Sequence, residues 1–484
     1  AGVDDISAGL SISVVKNALY KVIRVVDADE LGKNIVVQGG TFYNDAILKS
    51  FECEIGRNVI RPNIAGLMGA YGAALHAKAL NIQKSDLLDK NQLEKFTHKS
   101  SNINCNGCAN HCNLTVNTFN NNSKYISGNK CEKPLGISST KAIPNIYEYK
   151  RNRISKLKAE GEFKRGCVGL PLGLAMYENA PFWFNFFKAI DVKPVFSDFS
   201  TTNTYNIGRY SIPSDTACYP AKLMHGHIEE LLAKGITNIF YPSLTYNFDE
   251  GKGDNYYNCP IVAYYSELLK RNIPALDKAN FMYPYFGLHR RNDFVKFAYK
   301  YFKDIYKDIT KEEIKKASDI AYKAYYDWQI DLQEQGEKAL QYAKENSLLT
   351  VVLAGRPYHI DPEINHGIDK LINSLNIVVI SEDCISNFVE PAKVNVLNQW
   401  TYHARLYNAA KYCTLHKDIQ LVQLVSFGCG IDAITTDEVR QILEDGGKYY
   451  TQLKIDEINN LGAVKIRIRS LLGAISEGES SGGK

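Results

Sequence analysis

The sequence predicts an α/β protein with two doubly wound lobes. From Cys167 the chain alternates short apolar strands with helices, with strands at 167–170, 194–196 and 238–241 and helices near 180–190 and 221–234. A second set of apolar strands begins at Leu348, at 348–353, 377–380 and 420–425. Such alternation is typical of a parallel sheet with helices on both of its faces.

The two alternating regions look like copies of one unit. Gly169-Leu-Pro171 corresponds to Gly355-Arg-Pro357, Ser197-Asp198 to Ser381-Glu382, and Pro220-Ala-Lys222 to Pro391-Ala-Lys393. A repeat constrains the architecture more strongly than any local pattern. We therefore predict two Rossmann-like lobes related by internal duplication, at 161–284 and 346–475, separated by a helical segment at 285–345.

Composition excludes several classes of protein. The 484 residues include 57 basic and 53 acidic side chains, a net charge of +4, so no basic excess favours nucleic acid as a partner. No apolar run approaches the roughly 20 residues of a membrane helix. The 11 cysteines are too sparse for a disulfide scaffold. We expect a cytoplasmic protein with reduced thiols and no membrane partner.

The first 85 residues have the sequence pattern expected of the end of a larger domain. The chain opens inside a helical pattern over 6–26 and has no initiating Met, so we expect a longer protein. An apolar strand at 34–37 then runs into Gly39-Gly40-Thr41 and a second helix. The free N–H groups of such a turn can hold a phosphate or a nucleoside, although tight turns require glycine for steric reasons alone.

A cysteine-rich segment lies in the polar stretch 86–160. Cys105, Cys108, Cys112 and Cys131 form C-x2-C-x3-C-x18-C where the sequence offers almost no apolar core. Four thiolates bind either a tetrahedral zinc or a four-iron four-sulfur cluster, and either metal would supply folding energy. The segment is predicted to be a small metal-binding module.

Three further cysteines lie in or near loops beyond the carboxyl ends of predicted strands. These are Cys218, Cys259 and Cys429, with Cys384 as a fourth candidate. Ligands of open α/β sheets collect at that edge, so the three thiols are candidate ligands of a second cluster with one iron site left open. The alternative is that each cysteine is a small buried apolar residue.

The segment 355–366 is dense in polar residues just after a strand. Arg356, His359 and His366 are candidates for binding an anionic cofactor or substrate, or for proton transfer. The alternative is a loop whose polar side chains satisfy one another. Lys222, His225 and His227 have the same two interpretations, a role in binding or proton transfer and a structural role within the fold.

Two stretches carry a resemblance to a known family. Val37-Gln-Gly-Gly-Thr41 with Asn44 and Glu52, followed by Pro62 and the small-residue helix 64–75, resembles the last part of the 2-hydroxyacyl-CoA dehydratase activases, BadF/BadG-type ATPases of the actin–Hsp70–sugar kinase fold. The resemblance implies that Gly39, Gly40 and Asn44 lie at the nucleotide edge. Residues 1–85 would then be the end of an ATPase domain, with ATP bound only by the complete protein.

The remainder resembles the domain fused to large activase-related proteins and, more distantly, the iron–sulfur subunits of 2-hydroxyacyl-CoA dehydratases and benzoyl-CoA reductase. The matching stretches are Gly169-Leu-Pro-Leu-Gly173, Cys218-Tyr-Pro-Ala-Lys222 with His225-Gly-His227, Tyr257-Asn-Cys-Pro-Ile-Val262, Gly355-Arg-Pro-Tyr-His359 and Ser426-Phe-Gly-Cys-Gly430. The resemblance implies an ATP-coupled, low-potential electron-transfer system.

Two hypotheses follow. In the first, the chain is an iron–sulfur electron-transfer module of an activase, whose partners are the rest of its own ATPase domain, a dehydratase or reductase, and a second copy in a homodimer. In the second, it is a non-catalytic docking scaffold with a structural zinc. Residues 476–484 are predicted to form a disordered tail.

Overall fold

The computed structural model describes residues 2–23, 25, 27–81, 87–106, 112–120, 122–129, 134, 143–426, 429–455 and 461–481. The chain forms two compact units, Ala1–Thr97 and His98–Lys484. Within the described ranges, no helix combines the length and the apolar character that a membrane crossing requires. The α/β class predicted from sequence is confirmed by the parallel sheets of the second unit.

The first unit consists of helices around a small core. Its α-helices are α1 (Val3–Lys16), α2 (Asp45–Ile55), α3 (Met68–Leu80) and α4 (Lys90–Glu94). A π-helix at Asn17–Ile23 continues α1, and three short 3-10 helices lie at Ala28–Leu31, Gly40–Tyr43 and Ala65–Leu67. The strand predicted at 34–37 is instead one isolated parallel bridge, between Val36 and Ile60. The core contains Val15, Leu19, Ile35, Val37, Ile47 and Phe51.

The second unit begins with an antiparallel sheet that the sequence did not predict. Its strands are β1 (His98–Asn104), β2 (Asn113–Phe119) and β3 (Lys124–Ser127), in the order β1-β2-β3. Only Leu114 and Val116 are buried among the residues of these three strands. Backbone hydrogen bonds therefore define this sheet more than side-chain burial does.

The first lobe follows. Helix α5 (Ile146–Ser155) precedes this lobe and hydrogen-bonds to a later part of the chain, from Tyr147 to Leu353 and from Lys150 to Asp383. The helices of the lobe are α6 (Met176–Ala189), α7 (Thr202–Gly208), α8 (Tyr219–Ala233) and α9 (Pro260–Asn272). Its strands are β4 (Cys167–Leu170), β5 (Lys193–Phe196), β6 (Asn238–Phe240) and β7 (Asn280–Met282), all parallel in the order β5-β4-β6-β7. Aromatic rings fill the core, and the fully buried Trp183 lies 4.6 Å from Phe240 and 4.9 Å from Phe182 between ring centroids.

Two long helices follow as predicted. They are α10 (Arg291–Ile305) and α11 (Lys311–Glu345). Thr310 begins α11 with a reciprocal cap, because its hydroxyl accepts from the Glu313 N–H while the Glu313 carboxylate accepts from the Thr310 N–H. The buried face of α11 packs against α6.

The second lobe has its own parallel sheet. Its strands are β8 (Thr350–Ala354), β9 (Val378–Ile380), β10 (Ile419–Ser426) and β11 (Thr451–Ile455), in the order β11-β10-β8-β9. Its helices are α12 (Pro362–Asn365), α13 (Ile368–Asn373), α14 (Thr401–Thr414), α15 (Gly430–Asp445) and α16 (Leu461–Ser481). Every residue of β8 and β10 is buried, which explains their continuous apolar runs. Helix α16 continues to Ser481, into the segment predicted as a disordered tail.

Both sheets have the same topology. Each begins at one edge with its second strand, followed by the first, third and fourth strands in chain order. The order reverses between the first and third strands, and ligands of open α/β sheets bind beyond the carboxyl ends of the strands at such a point. One proposed repeat differs locally, since Pro220-Ala-Lys222 lies in α8 whereas Pro391-Ala-Lys393 lies in irregular backbone.

Candidate functional site

Three cysteines begin three helices of the lobes. Cys218 is the N-cap of α8, Cys259 of α9 and Cys429 of α15. The Cys259 sulfur accepts a hydrogen bond from the Val262 N–H at 3.4 Å. The N-terminus of a helix carries a partial positive charge, which favours a thiolate over a thiol. At Cys218 and Cys259 the N–H groups of the helix N-terminus oppose the effect of burial, which raises the pKa of both thiols.

The three thiols lie within electrostatic range of one another. Burial, with smaller contributions from the charges of Cys259 and Cys429, raises the pKa of the Cys218 thiol to about 12, while the Ala221 N–H and the Arg356 charge act in the opposite direction. Burial also raises the pKa of Cys259, against the opposing effect of the Val262 N–H and of Arg356. Arg356 is in direct contact with Cys429, and its charge also acts on Cys218 and Cys259.

Arg356 follows β8 and makes contacts in several directions. It is 5% exposed, and its Nη2 donates to the Cys429 sulfur at 3.7 Å and to His403 Nε2 at 3.0 Å. Its guanidinium also forms an ion pair with Asp432, and Nη1 donates to the Tyr358 hydroxyl at 3.2 Å. The cation is held in place from α14, from α15 and from its own loop.

Two of these partners were missed by sequence reasoning. Asp432 lies in the first turn of α15, three residues after Cys429, and its Oδ2 accepts from the Ser426 N–H at 3.0 Å. An acidic residue in the first helical turn was the available signal. His403, in the middle of α14, gave no such signal.

The two predicted histidines of the 355–366 segment occupy different environments. His359 Nδ1 accepts from the Arg356 N–H at 2.9 Å, and burial and then the Arg356 charge lower the pKa of His359 well below its ordinary value. Its Nε2 is buried and has no hydrogen-bond partner among the described residues. His366 is buried and ends α12 with a positive φ of 53°.

Cys384 is placed differently from the other three cysteines. It is fully buried, its sulfur lies 3.5 Å from the Ser381 hydroxyl, and its Cβ packs against Gly336 of α11. Burial raises the pKa of the Cys384 thiol to about 12. These contacts are those of a packed core residue.

The histidines on α8 are used within the fold. The His227 ring nitrogens lie 2.9 Å from the Ser197 and Ser200 hydroxyls, and burial lowers the pKa of His227 to about 4. His225 contacts the Ser211 hydroxyl at 2.8 Å and the Tyr265 hydroxyl at 3.1 Å. Lys222 on the same helix is buried.

The first cysteine set is described in part. The Cys105 N–H donates to the Cys112 carbonyl oxygen at 2.8 Å, just beyond the paired ends of β1 and β2. Cys108 and Cys131 lie outside the described residues. The hairpin thus brings two of the four predicted ligands opposite each other.

The predicted nucleotide edge lies in the first unit. Gly39 has a φ of 101°, which only glycine adopts readily, and Gly40 begins a 3-10 helix. Asn44 caps α2 by accepting from the Ala46 N–H at 2.9 Å. Asn44 also lines an open groove of about 580 Å³ between α1 and α2. Its side chain therefore borders a groove while serving as a helix cap.

Among the residues that the structure describes, no group of three or more His, Cys, Asp or Glu side chains is arranged to hold a single metal ion. We refer to Cys218, Cys259 and Cys429, with the buried Arg356 in contact with Cys429, as the three-thiol site.

Comparison with known proteins indicates the class of this chain. Residues 167–385, less than half of the chain, match a family model described as "CoA enzyme activase uncharacterised domain (DUF2229)". This range contains Cys218, Cys259 and Arg356. Part of this α/β chain therefore matches a CoA enzyme activase domain.

A curated relative agrees with this class. The 2-hydroxyisocaproyl-CoA dehydratase activator of Clostridioides difficile is 38% identical over 77 residues, which are 16% of this chain and 27% of that protein. The chain therefore covers about a quarter of this relative. With the domain match, it supports the statement that the chain is an activase-related protein.

A solved structure adds nothing to this assignment. The C-terminal domain of glucosamine-fructose-6-phosphate aminotransferase from Francisella tularensis matches over 66% of this chain and 89% of that domain, with 11% identity and a TM-score of 0.18. A likeness at this level carries no argument about fold or function.

Proposed function

We propose that this chain is part of an ATP-dependent activator of the 2-hydroxyacyl-CoA dehydratase type, with an iron–sulfur cluster at Cys218, Cys259 and Cys429. The observation that carries the proposal is the placement of three cysteines at helix N-caps, with electrostatic effects on one another and one buried arginine in contact with Cys429. The activase domain match and the activator relative support the activator role.

The donor set fits a four-iron cluster better than a single ion. Each thiolate of such a cluster binds a different iron, so the sulfur atoms need not converge on one point. A bound cluster would supply one-electron transfer at low potential. The helix N-termini would stabilise its negative charge, and the lobes would limit access of water, since Cys218, Cys259 and Cys429 are each only partly exposed.

The rest of the predicted system belongs to this proposal. ATP would be bound by the complete protein, with Gly39, Gly40 and Asn44 at the edge of its site. The partners would be a dehydratase or reductase and a second copy of the chain, in the cytoplasm. The shared strand order of the two sheets supports internal duplication of two Rossmann-like lobes.

A second candidate function rests on the β1–β2 hairpin. Its Cys105 and Cys112 are brought opposite each other where side-chain burial is slight. This arrangement favours a structural zinc, or a second cluster, held with Cys108 and Cys131 in a small metal module. In that case the chain would serve as a docking scaffold between the ATPase and its partner.

Iron and sulfide analysis of the anaerobically purified chain tests the proposal. We expect iron and sulfide with a visible cluster absorption, lost in Cys218→Ser and in Cys429→Ser. Cys167→Ser is the matched control, because Cys167 is also partly exposed but lies at the amino end of β4. It should keep the cluster.

Two outcomes would contradict the proposal. Zinc alone, with no iron after anaerobic reconstitution, would favour the scaffold. Full retention of iron in Cys218→Ser and Cys429→Ser would move any cluster away from this site.

A further inference from the structure

The Arg356 guanidinium is a buried cation at the three-thiol site. Its Nη2 lies 3.7 Å from the Cys429 sulfur, and its charge acts on the thiols of Cys218 and Cys259 as well. An N–H group that points at a ligating sulfur and a nearby positive charge both stabilise added negative charge on a cluster.

Asp432 and His403 are in contact with the Arg356 guanidinium. Asp432 pairs with the guanidinium from α15, and its carboxylate is anchored by the Ser426 N–H. His403 accepts from Nη2 at 3.0 Å, and burial and the Arg356 charge lower the pKa of His403 well below its ordinary value. The imidazole is therefore neutral, so the carboxylate in contact with Arg356 is the group that balances its charge.

We infer that Arg356 is a positioning residue that raises the reduction potential at the site of Cys218, Cys259 and Cys429. Asp432 has the opposite effect and lowers this potential. The inference rests on the proposed iron–sulfur function. Uptake of one electron adds one negative charge at this site. The cation stabilises the reduced state, and the carboxylate destabilises it, so the pair sets the energy at which that electron is accepted.

The geometry makes this role specific to arginine. The planar guanidinium donates in several directions at once, to a sulfur, a carboxylate, an imidazole and a phenol. A lysine ammonium offers a point charge without this fork. Replacement by lysine should therefore keep the charge while losing part of the alignment toward Cys429.

The experiment is a redox titration of the anaerobically reconstituted chain, with dithionite as the reductant and electron paramagnetic resonance as the readout. Relative to wild type, Arg356→Gln should have a more negative midpoint potential and Asp432→Asn a more positive one. Arg356→Lys should shift less than Arg356→Gln, and the double variant should lie between the two single variants.

Arg165→Gln is the matched control. The Arg165 side chain is also largely buried and ion-paired, with Asp308 at 2.8 Å and Glu313 at 3.0 Å, but it lies beside the amino end of β4. Its loss should alter stability and leave the midpoint potential at the wild-type value.

The outcomes separate this inference from the proposed function. A wild-type chain that holds no cluster overturns both. A wild-type chain with a cluster whose potential is unchanged in Arg356→Gln, or shifts in the same direction in Arg356→Gln and Asp432→Asn, overturns the arginine role alone. If Arg356→Gln fails to fold, the absence of a positive shift in Asp432→Asn overturns it.

Discussion

Cys105 and Cys112 lie at the ends of two strands with few buried side chains, whereas Cys218, Cys259 and Cys429 begin helices of two lobes with large cores. In the three strands around the first set, only Leu114 and Val116 are buried. The lobes share one extended cluster of buried apolar residues. Apolar burial contributes roughly 25 cal/mol per Å² to the free energy of folding. The lobes therefore gain far more stability from burial than the sheet β1–β3 does.

This difference assigns different roles to similar side chains. Where the polypeptide provides little core, a metal would hold the chain together. Where the apolar core is already complete, the fold would be stable without the metal. The charges around the metal would then determine its chemical properties. Each prediction below tests one side of this comparison, in order of decreasing expected effect.

Removing metal from the first cysteine set should unfold the sheet β1–β3. Structural zinc contributes roughly 10–16 kcal/mol to the folding of small modules. Hydrogen exchange measured with and without a chelator should show loss of protection in β1 and β2, while β4 and β8 stay protected. Cys53→Ser, a change at an exposed cysteine of the first unit, should leave this pattern unchanged. Protection of β1 and β2 that survives chelation would show that the sheet needs no metal.

Trp183→Ala should destabilise the lobes by about 3–5 kcal/mol, because it removes a fully buried ring from the aromatic core. Urea unfolding followed by circular dichroism measures this change in the free energy of unfolding. Tyr125→Ala in β3 removes a ring that is 62% exposed and should change stability by less than about 0.5 kcal/mol. Equal effects of the two substitutions would remove the contrast between the regions.

Acid should destabilise the lobes through His227. Burial lowers the pKa of His227 from 6.5 to about 4, so the unfolded chain binds a proton at a higher pH than the folded chain does. Stability is therefore full above pH 6.5 and is lost as the pH falls toward 4, by up to roughly 3 kcal/mol. Urea unfolding at several pH values should show a smaller loss in His227→Gln. Identical pH profiles would place the acid sensitivity elsewhere.

Cys218→Ser should change stability by about 1 kcal/mol or less without metal, a smaller effect than that of Trp183→Ala or of acid. The Cys218 side chain makes no helix-capping hydrogen bond, and serine is a favoured N-cap residue. Thermal unfolding checks this, and a large loss would mean that the thiol supports the core.

Local pattern predicted much of the lobes. The strands β4, β6, β8, β9 and β10 and the helices α6, α8 and α11 appear within a few residues of their expected positions, since buried parallel strands read as short apolar runs. The sheet β1–β3 was missed because its strands are rich in Asn, Ser and Thr and bury few residues. The strand expected at 34–37 fails because its backbone pairs at one bridge.

The cysteines of the site could be predicted from the sequence, but the residues that contact Arg356 could not. Thiols beyond strand ends could be named from sequence because helix starts and strand ends are local features. Asp432 and His403 could not, since they reach Arg356 from 76 and 47 residues away. Such contacts depend on how α14 and α15 pack beside β8.

The sequence by itself determined the α/β class, the order of most lobe elements and the candidate thiols, because hydrophobic period and residue chemistry act over short distances along the chain. Only the tertiary structure decided that Cys384 packs against α11, and that a buried arginine contacts Cys429 and pairs with Asp432. Electrostatic effects depend on distance in space, and the folding of the chain sets those distances.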